Sequence, residues 1–345
     1  MSRQAIMNGN FDIWQRGTTV TNSTGAYLAD RWLIQYSNSG TLPTTIINSR
    51  QLQTSGDLYG SNYFYRIAPN GAGSGFGVND YYQIRQAIEN GVRNLCGASK
   101  TLTLSLYARS SIAGKKLSLE GLQYYGTGGS PSATEFWTGS RVTLTSSWAK
   151  YTVTFTTNTL VGKTFGTNND DYIQINLAVM EGTTNAAAYG ISGAETFVGS
   201  GNIDIAQVQL CSGDVALPFQ PKSFRDELTD CQRYYETSWD YGETSTTFSK
   251  YIYQNMGMTY NGGNCLGGPF FFKVQKRTGG PTITVYDVAR TVNKVTWADN
   301  NGSSTNGTTE PSKTITDKYW MYSSGGIGAT AKGIMSLAYE VSNEL

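Results

Sequence analysis

The chain has 345 residues, enough for two ordinary domains that each bury a core. Its 26 Lys and Arg nearly balance 25 Asp and Glu, and only 15% of residues are charged, so no excess of charge steers it to nucleic acid or an anionic membrane. Histidine is absent, which excludes Ser-His-Asp and Cys-His catalysis and His-ligated zinc hydrolysis.

The opening residues, MSRQAIMNGNFDIWQRG, lack the apolar core of a signal peptide, and no apolar run approaches the roughly 18 residues of a membrane helix. A protein made soluble in a cytoplasm, with no membrane insertion, is the expectation. GAGSGFG at 71–77 superficially resembles a nucleotide loop but has no preceding strand, following helix or P-loop lysine in the sequence pattern, so a flexible turn is expected. From about residue 100 the pattern has a period of two. Leu102, Leu104 and Leu106 mark one strand, Leu117 and Leu119 a second, and Tyr151, Val153 and Phe155 a third. Ile173, Ile175, Leu177 and Val179 mark a fourth, and Ala206, Val208 and Leu210 a fifth. The segments between them are turn-rich, as 126–130 and 166–170 illustrate. This density of strands predicts an all-β protein, an antiparallel jelly-roll β-sandwich.

A short helix is predicted from Ser223. Ser223 and Asp226 fit a capping box, and Phe224, Leu228, Cys231 and Tyr235 recur at helical spacing through residue 236. It connects residues 1–222 to a second, smaller β domain at 237–345, with candidate strands at 270–274, 282–288, 295–298, 318–322 and 334–341. The stretch DNNGSSTNGTTEPS at 299–312 reads as an exposed loop. No repeat of 20 to 50 residues is visible. Cys96, Cys211, Cys231 and Cys265 form no CxxC pair and read as buried free thiols.

NGNFDIWQRGT at 8–18 with YLADRW at 27–32 closely resembles the opening of a domain found in many phage tail-fibre and other virion proteins. The likeness continues through QIRQAIENGVRNLCGASKTLTLSLYAR at 83–109 and SSWAKYTVTF at 146–155. It ends with IDIAQVQLCSGDVALPFQPKSFRDELTDCQRYYE at 203–236, so it covers roughly 1–236. That family's sandwich is similar to the jelly-roll carbohydrate-binding modules of polysaccharide-degrading enzymes. The resemblance implies a bacteriophage virion protein of tail-fibre or receptor-binding type, displayed on the particle. It would attach to host surface glycans by non-covalent binding, not as an enzyme. Head-fibre and capsid-decoration placements stay open, as does a polysaccharide depolymerase. The implied partners are other virion proteins, host cell-surface polysaccharide and two further copies in a homotrimer, with the C-terminal domain serving oligomerisation or receptor contact.

Sugar binding calls for aromatic faces beside amide and charged groups. Tyr124, Tyr125 and Trp137 lie near the glycine-rich turn at 126–129, with Gln123, Glu135 and Arg141 close in sequence, and are the candidate glycan platform. Tyr234, Tyr235, Trp239 and Tyr241 form a second cluster, expected in subunit packing. Trp14, Arg16, Asp30, Arg31 and Trp32 are read as structural. No catalytic residues are assigned: Glu120, Glu135, Asp170 and Asp171 appear isolated or in polar turns. By resemblance to the jelly-roll modules, Asn10, Asp12 and Asp204 are candidate ligands of a structural calcium, the only cofactor envisaged.

Overall fold

A computed structural model describes residues 4–249, 252–254, 267–299, 304–309, 312–324 and 333–345. They form two compact units. One comprises Met1–Ile13, Thr18–Ser223 and Leu345; the other comprises Trp14–Gly17 with Phe224–Glu344.

The first unit runs through β1 (Thr19–Thr21), β2 (Ala26–Tyr27), β3 (Leu33–Ser37), β4 (Thr45–Leu52), β5 (Tyr63–Asn70) and β6 (Tyr81–Glu89), then α1 (Gly91–Leu95). It continues with β7 (Thr101–Ser110), β8 (Lys116–Tyr124), β9 (Glu135–Phe136), β10 (Ser140–Thr143), β11 (Ala149–Thr156), β12 (Tyr172–Glu181), α2 (Thr183–Ala188) and β13 (Ile203–Ser212). The first sheet has the order β1-β4-β5-β13-β7-β11. The second has the order β10-β8-β12-β6-β3-β2, with β9 added beside β8. All pairings in both are antiparallel, and the two sheets make the predicted jelly-roll sandwich.

Alternation sets the interior. Leu102, Leu104 and Leu106 of the first sheet and Leu117, Leu119, Ile173, Ile175 and Leu177 of the second are all fully buried. Two contacts join the sheets through the core. The Trp137 and Phe155 rings lie 5.3 Å apart, and Asn48 Nδ2 donates to Tyr82 Oη at 2.7 Å. The 71–77 segment forms a turn that exchanges backbone hydrogen bonds between Ser74 and Thr41.

The opening motif is structural. Asn8 Nδ2 donates to the carbonyls of Ile13 (2.8 Å) and Asp30 (3.1 Å), and Asn8 O accepts from Trp32 Nε1 at 3.1 Å. Gly9 lies so close to β13 that a Cβ there would stand 2.0 Å from Val208 O, so only glycine fits.

In the second unit α3 (Phe224–Gln232) precedes β14 (Tyr235–Thr237), β15 (Ile252–Gln254), β16 (Gly267–Phe271), β17 (Thr282–Tyr286) and β18 (Lys294–Asp299). β19 (Ser304–Thr309), β20 (Ser312–Ile315), β21 (Tyr319–Ser324) and β22 (Gly333–Ser342) follow. β22 is the organising strand, pairing with β14, β15, β17 and β18, while β16, β21 and β20 form a separate three-stranded sheet. Phe270 stacks on Trp320 at 4.2 Å within a core that includes Val285, Val295 and Leu337.

Three expectations are corrected in this unit. The helix stops at Gln232, short of residue 236, because Tyr235–Thr237 is drawn into a ladder with β22. The stretch 299–312 is not one loop: Ser304–Thr309 is a strand paired with β18 at the end of its sheet, where backbone hydrogen bonds suffice without an apolar pattern. Tyr234, Tyr235 and Trp239 are buried within the chain itself, Trp239 stacked on Phe248 at 5.1 Å, and Tyr241 is the exposed member of that cluster.

Cys96, Cys211 and Cys231 are buried, and burial pushes the Cys96 thiol up to about 12. Cys265 lies outside the described residues. Among the described residues no helix is long and apolar enough to cross a membrane.

Candidate functional site

The predicted platform is divided by strand parity. Along β8 the even residues Ser118, Glu120, Leu122 and Tyr124 point away from the core, and the odd ones point into it. Tyr124 is accordingly half-exposed on the outer face of the second sheet. Trp137 is 1% exposed, seated over Gly121, where a Cβ would come 2.3 Å from its ring; its indole N–H donates to Gln123 Oε1 at 3.1 Å. Tyr125 is equally buried, edge-on to Phe165 at 5.4 Å and hydrogen-bonded to Glu135 and Gln123. Neither offers a ring face to solvent, so Trp137 and Tyr125 are core residues and leave the platform.

Register supplies Tyr124 with other company. Tyr172 stands directly opposite it on β12, and the two rings stack with centroids 4.7 Å apart. Next on the same face, Gln174 accepts from Arg85 Nη1 at 2.8 Å and donates to Asn176 Oδ1 at 2.7 Å. Tyr172 and Arg85 are half-buried, and burial raises the Tyr172 phenol while the Arg85 guanidinium lowers it. The stacked tyrosines and an arginine fork are groups that a sugar ring and its hydroxyls require, while the buried Gln174, engaged at both ends of its amide, orients the arginine.

Toward β10 the same face closes over. Asn176 Nδ2 donates to Glu120 Oε2 (3.1 Å) and to Tyr189 Oη (2.9 Å). Glu181 Oε2 accepts from Ser118 Oγ and Arg141 Nη2, both at 2.8 Å, and Glu181 Oε1 accepts from Asn185 Nδ2 of α2 at 3.2 Å. Glu120 is fully buried beside Glu181. Burial, then the charge of Glu181 and a hydrogen bond to it, hold the Glu120 carboxyl well above the usual carboxylate range, against smaller opposing effects of Asn176 and Arg141. Glu120 therefore holds its proton more tightly than an ordinary carboxyl does. Two carboxyl groups in direct contact leave no room for the glycosidic bond that a hydrolytic pair must flank at about 5–10 Å. Phe136, 44% exposed, lies edge-on to Tyr189 at 5.1 Å and roofs this end.

Glu120, expected to be isolated or in a turn, is thus part of a buried pair. The other acids are tied down locally. Glu135 pairs with Lys163, Asp170 accepts from Thr127 N at 2.7 Å across the rim of the sheet, and Asp171 accepts from Arg93 Nε at 2.7 Å. Arg85, Tyr172, Gln174, Asn176 and Glu181 were not singled out from sequence. The signal was available in 172–177, where the apolar odd residues imply that Tyr172, Gln174 and Asn176 share the opposite face.

The expected calcium ligands do not make a cage. Both oxygens of Asp204 are taken by guanidinium groups, from Arg66 Nε (2.7 Å), Arg66 Nη2 (2.9 Å) and Arg109 Nε (2.9 Å). Asn10 Nδ2 donates to Asp12 Oδ2 at 3.0 Å and to Gly60 O at 3.1 Å, and burial raises the Asp12 carboxyl. Among the described residues no three acidic or thiol side chains converge as a metal site. A divalent cation beside two arginines is electrostatically disfavoured, so Asp204 does not fit the ion. A mainly apolar cavity of about 580 Å³ is lined by Ile88, Leu95, Leu102, Leu210 and Leu217, with Gln4, Glu89, Asn94 and Ser212 as its polar members and, among the described residues, no aromatic ring for a sugar to stack on.

No family model and no curated protein matches the chain. Among solved structures it is similar to the enzymatically active domain of tailspike protein 4 of bacteriophage CBA120, with 10% identity over 61% of this chain and a TM-score of 0.33. The chain spans 22% of that tailspike chain. It is also similar to the family 11 carbohydrate-binding module of Clostridium thermocellum in complex with a mixed-linked tetrasaccharide (12% identity, 56% of this chain and 96% of that one, TM-score 0.30). A third likeness is to the CBM22-1 xylan-binding domain from Paenibacillus barcinonensis Xyn10C (8% identity, 59% and 99% coverage, TM-score 0.29). At TM-scores near 0.3 these likenesses decide nothing about this chain's ligand.

Proposed function

We propose that this chain is a structural protein of a bacteriophage virion, of tail-fibre or receptor-binding type, which attaches to host surface glycans by non-covalent binding. The observation that carries the binding reading is the half-exposed Tyr124–Tyr172 stack beside the Arg85–Gln174 hydrogen bond on the outer face of the second sheet. Sugar C–H faces stack on such rings, while the guanidinium, held by the Gln174 amide, orders the hydroxyls. Placement on the particle rests on the sequence resemblance of residues 8–32 and 203–236. A homotrimer would present three weak sites at once, and simultaneous engagement raises avidity without new contacts.

The test is saturable binding of the purified chain to host envelope polysaccharide. Tyr172→Ala is expected to weaken it by about tenfold, the order of a lost aromatic stack together with its buried area. Unchanged affinity in a folded Tyr172→Ala protein removes this face as the site. Release of new reducing ends would replace attachment by depolymerase activity, which the direct contact of Glu120 with Glu181 disfavours at that pair. Immunogold labelling of particles separates tail placement from the second reading, a head fibre or capsid decoration.

A further inference from the structure

We infer that the outer face of the first sheet carries a second binding site, specific for the carboxylate of an acidic sugar and built on Arg66, Arg109 and Trp148. Register aligns Ser49, Arg66, Asp204 and Arg109 in one row across β4, β5, β13 and β7. Alternation turns this row away from Tyr65, Ile67, Ile203 and Ile205, which fill the interior. Trp148 immediately precedes β11, whose first residue Ala149 pairs with Ala108, so it continues the row beside Arg109.

The row carries more positive charge than the fold requires. Arg66 alone satisfies Asp204 in bidentate fashion, with Nε on Oδ1 and Nη2 on Oδ2. Arg109 adds a second guanidinium to the same carboxylate through Nε. Among the described residues its other acidic partner is Asp57, an exposed residue reached from Nη1 at 3.5 Å, too long for a strong bond. Among the described residues no acceptor meets Arg66 Nη1 or Arg109 Nη2, and the two side chains keep 24% and 25% of their surface in solvent.

Aromatic rings hold both forks in place. Arg109 lies over Trp148 at 4.6 Å and over Phe64 at 5.5 Å, Arg66 lies over Phe64 at 5.3 Å, and Phe64 meets Trp148 edge-on at 5.3 Å. Against the buried Asp204 the two guanidinium groups leave one positive charge, which the exposed Asp57 offsets at 3.5 Å, so a monoanion that displaces Asp57 matches the row, whereas a phosphate dianion would leave it net negative. A carboxylate takes the paired N–H groups of a guanidinium, and the half-exposed indole beside it suits the pyranose ring that bears it. In the loop that supplies Asp57, Tyr59 is 99% exposed while its carbonyl accepts from Gln207 Nε2 at 2.7 Å, so an anchored backbone projects a second ring next to the row.

The test is calorimetric titration of the full chain with galacturonate, glucuronate and N-acetylneuraminate oligosaccharides, with their carboxyl-reduced counterparts and with inorganic phosphate. At least one acidic oligosaccharide is expected to bind, more weakly as salt rises, and its reduced form about tenfold or more weaker. Arg109→Gln should lower that affinity about tenfold while leaving thermal stability unchanged, because Asp204 keeps Arg66. Tyr172→Ala, on the other sheet, should leave it unaltered. Binding of none of the acids, equal binding of acidic and reduced forms, phosphate binding as tight as the sugar, or full affinity in folded Arg109→Gln each overturns the proposal.

Discussion

Replacing Glu120 by Gln should change how stability depends on pH. In the folded chain Glu120 is buried against Glu181 and keeps its proton well above the usual carboxylate range; in the unfolded chain it titrates near the ordinary value of about 4.3. Between those two points the folded state holds a proton that the unfolded state has released. The contribution of Glu120 is therefore full below the ordinary value and is lost as pH rises toward the raised one, at about 1.4 kcal/mol per pH unit. Glutamine keeps the shape, donates through its amide to Glu181 and accepts from Asn176 through its carbonyl, with no proton to lose. Glu120→Gln and the parent protein should be similarly stable near pH 4, and the variant should gain steadily on the parent above pH 5. Urea unfolding followed by tryptophan fluorescence at several pH values reads this as a difference between the two proteins, in which the other carboxylates cancel. An equal loss of stability in the variant at every pH would show that Glu120 is ionised in the fold and refute the assignment of the proton.

Three further outcomes follow from packing and charge. Trp137→Ala empties the space over Gly121 and should destabilise the first unit by about 3–5 kcal/mol in chemical denaturation, instead of acting as a neutral surface change. Lys276 and Glu236 are fully buried and paired at 2.6 Å; Lys276→Met should cost about 3–5 kcal/mol by stranding the carboxylate, and adding Glu236→Gln should recover part of that loss in the same measurement. Because Asp204 is occupied by Arg66 and Arg109, neither calcium nor a chelator should move the melting temperature, and a rise of several degrees with calcium would contradict the disposition of Asn10, Asp12 and Asp204.

The sandwich was legible because its strands alternate. Leu102 to Leu106 and Ile173 to Val179 state both the period and the buried face. The same rule was not carried through to the site: Tyr124 and Tyr125 are neighbours in sequence, and parity alone puts one outside and the other inside. Trp137 was misplaced for a different reason, since its pocket exists only because Gly121 on a neighbouring strand has no side chain. The rows Arg85–Asn176–Glu120 and Arg66–Asp204–Arg109 depend on which strands become neighbours, and jelly-roll crossovers join segments that no local pattern connects. In the second unit the weak apolar pattern of 304–309 hid an edge strand, because an edge can be held by backbone hydrogen bonds alone.

The short segment Trp14–Gly17, which belongs with the second unit, carries a consequence for the order of events on the ribosome. Gln15 Nε2 donates to Tyr235 O at 2.9 Å, and Arg16 lies over the Tyr235 ring at 3.5 Å and pairs with Glu344 at 2.9 Å. Arg16 is thus translated 328 residues before the carboxylate that completes its surroundings, a wait of roughly 15 to 65 s at common rates of synthesis. Throughout that interval Trp14, 1% exposed in the finished protein, has none of its second-unit neighbours after residue 223 to cover it. A nascent chain stalled or truncated after the first unit therefore lacks these neighbours of Trp14, and should be the species on which chaperones act and from which aggregates grow.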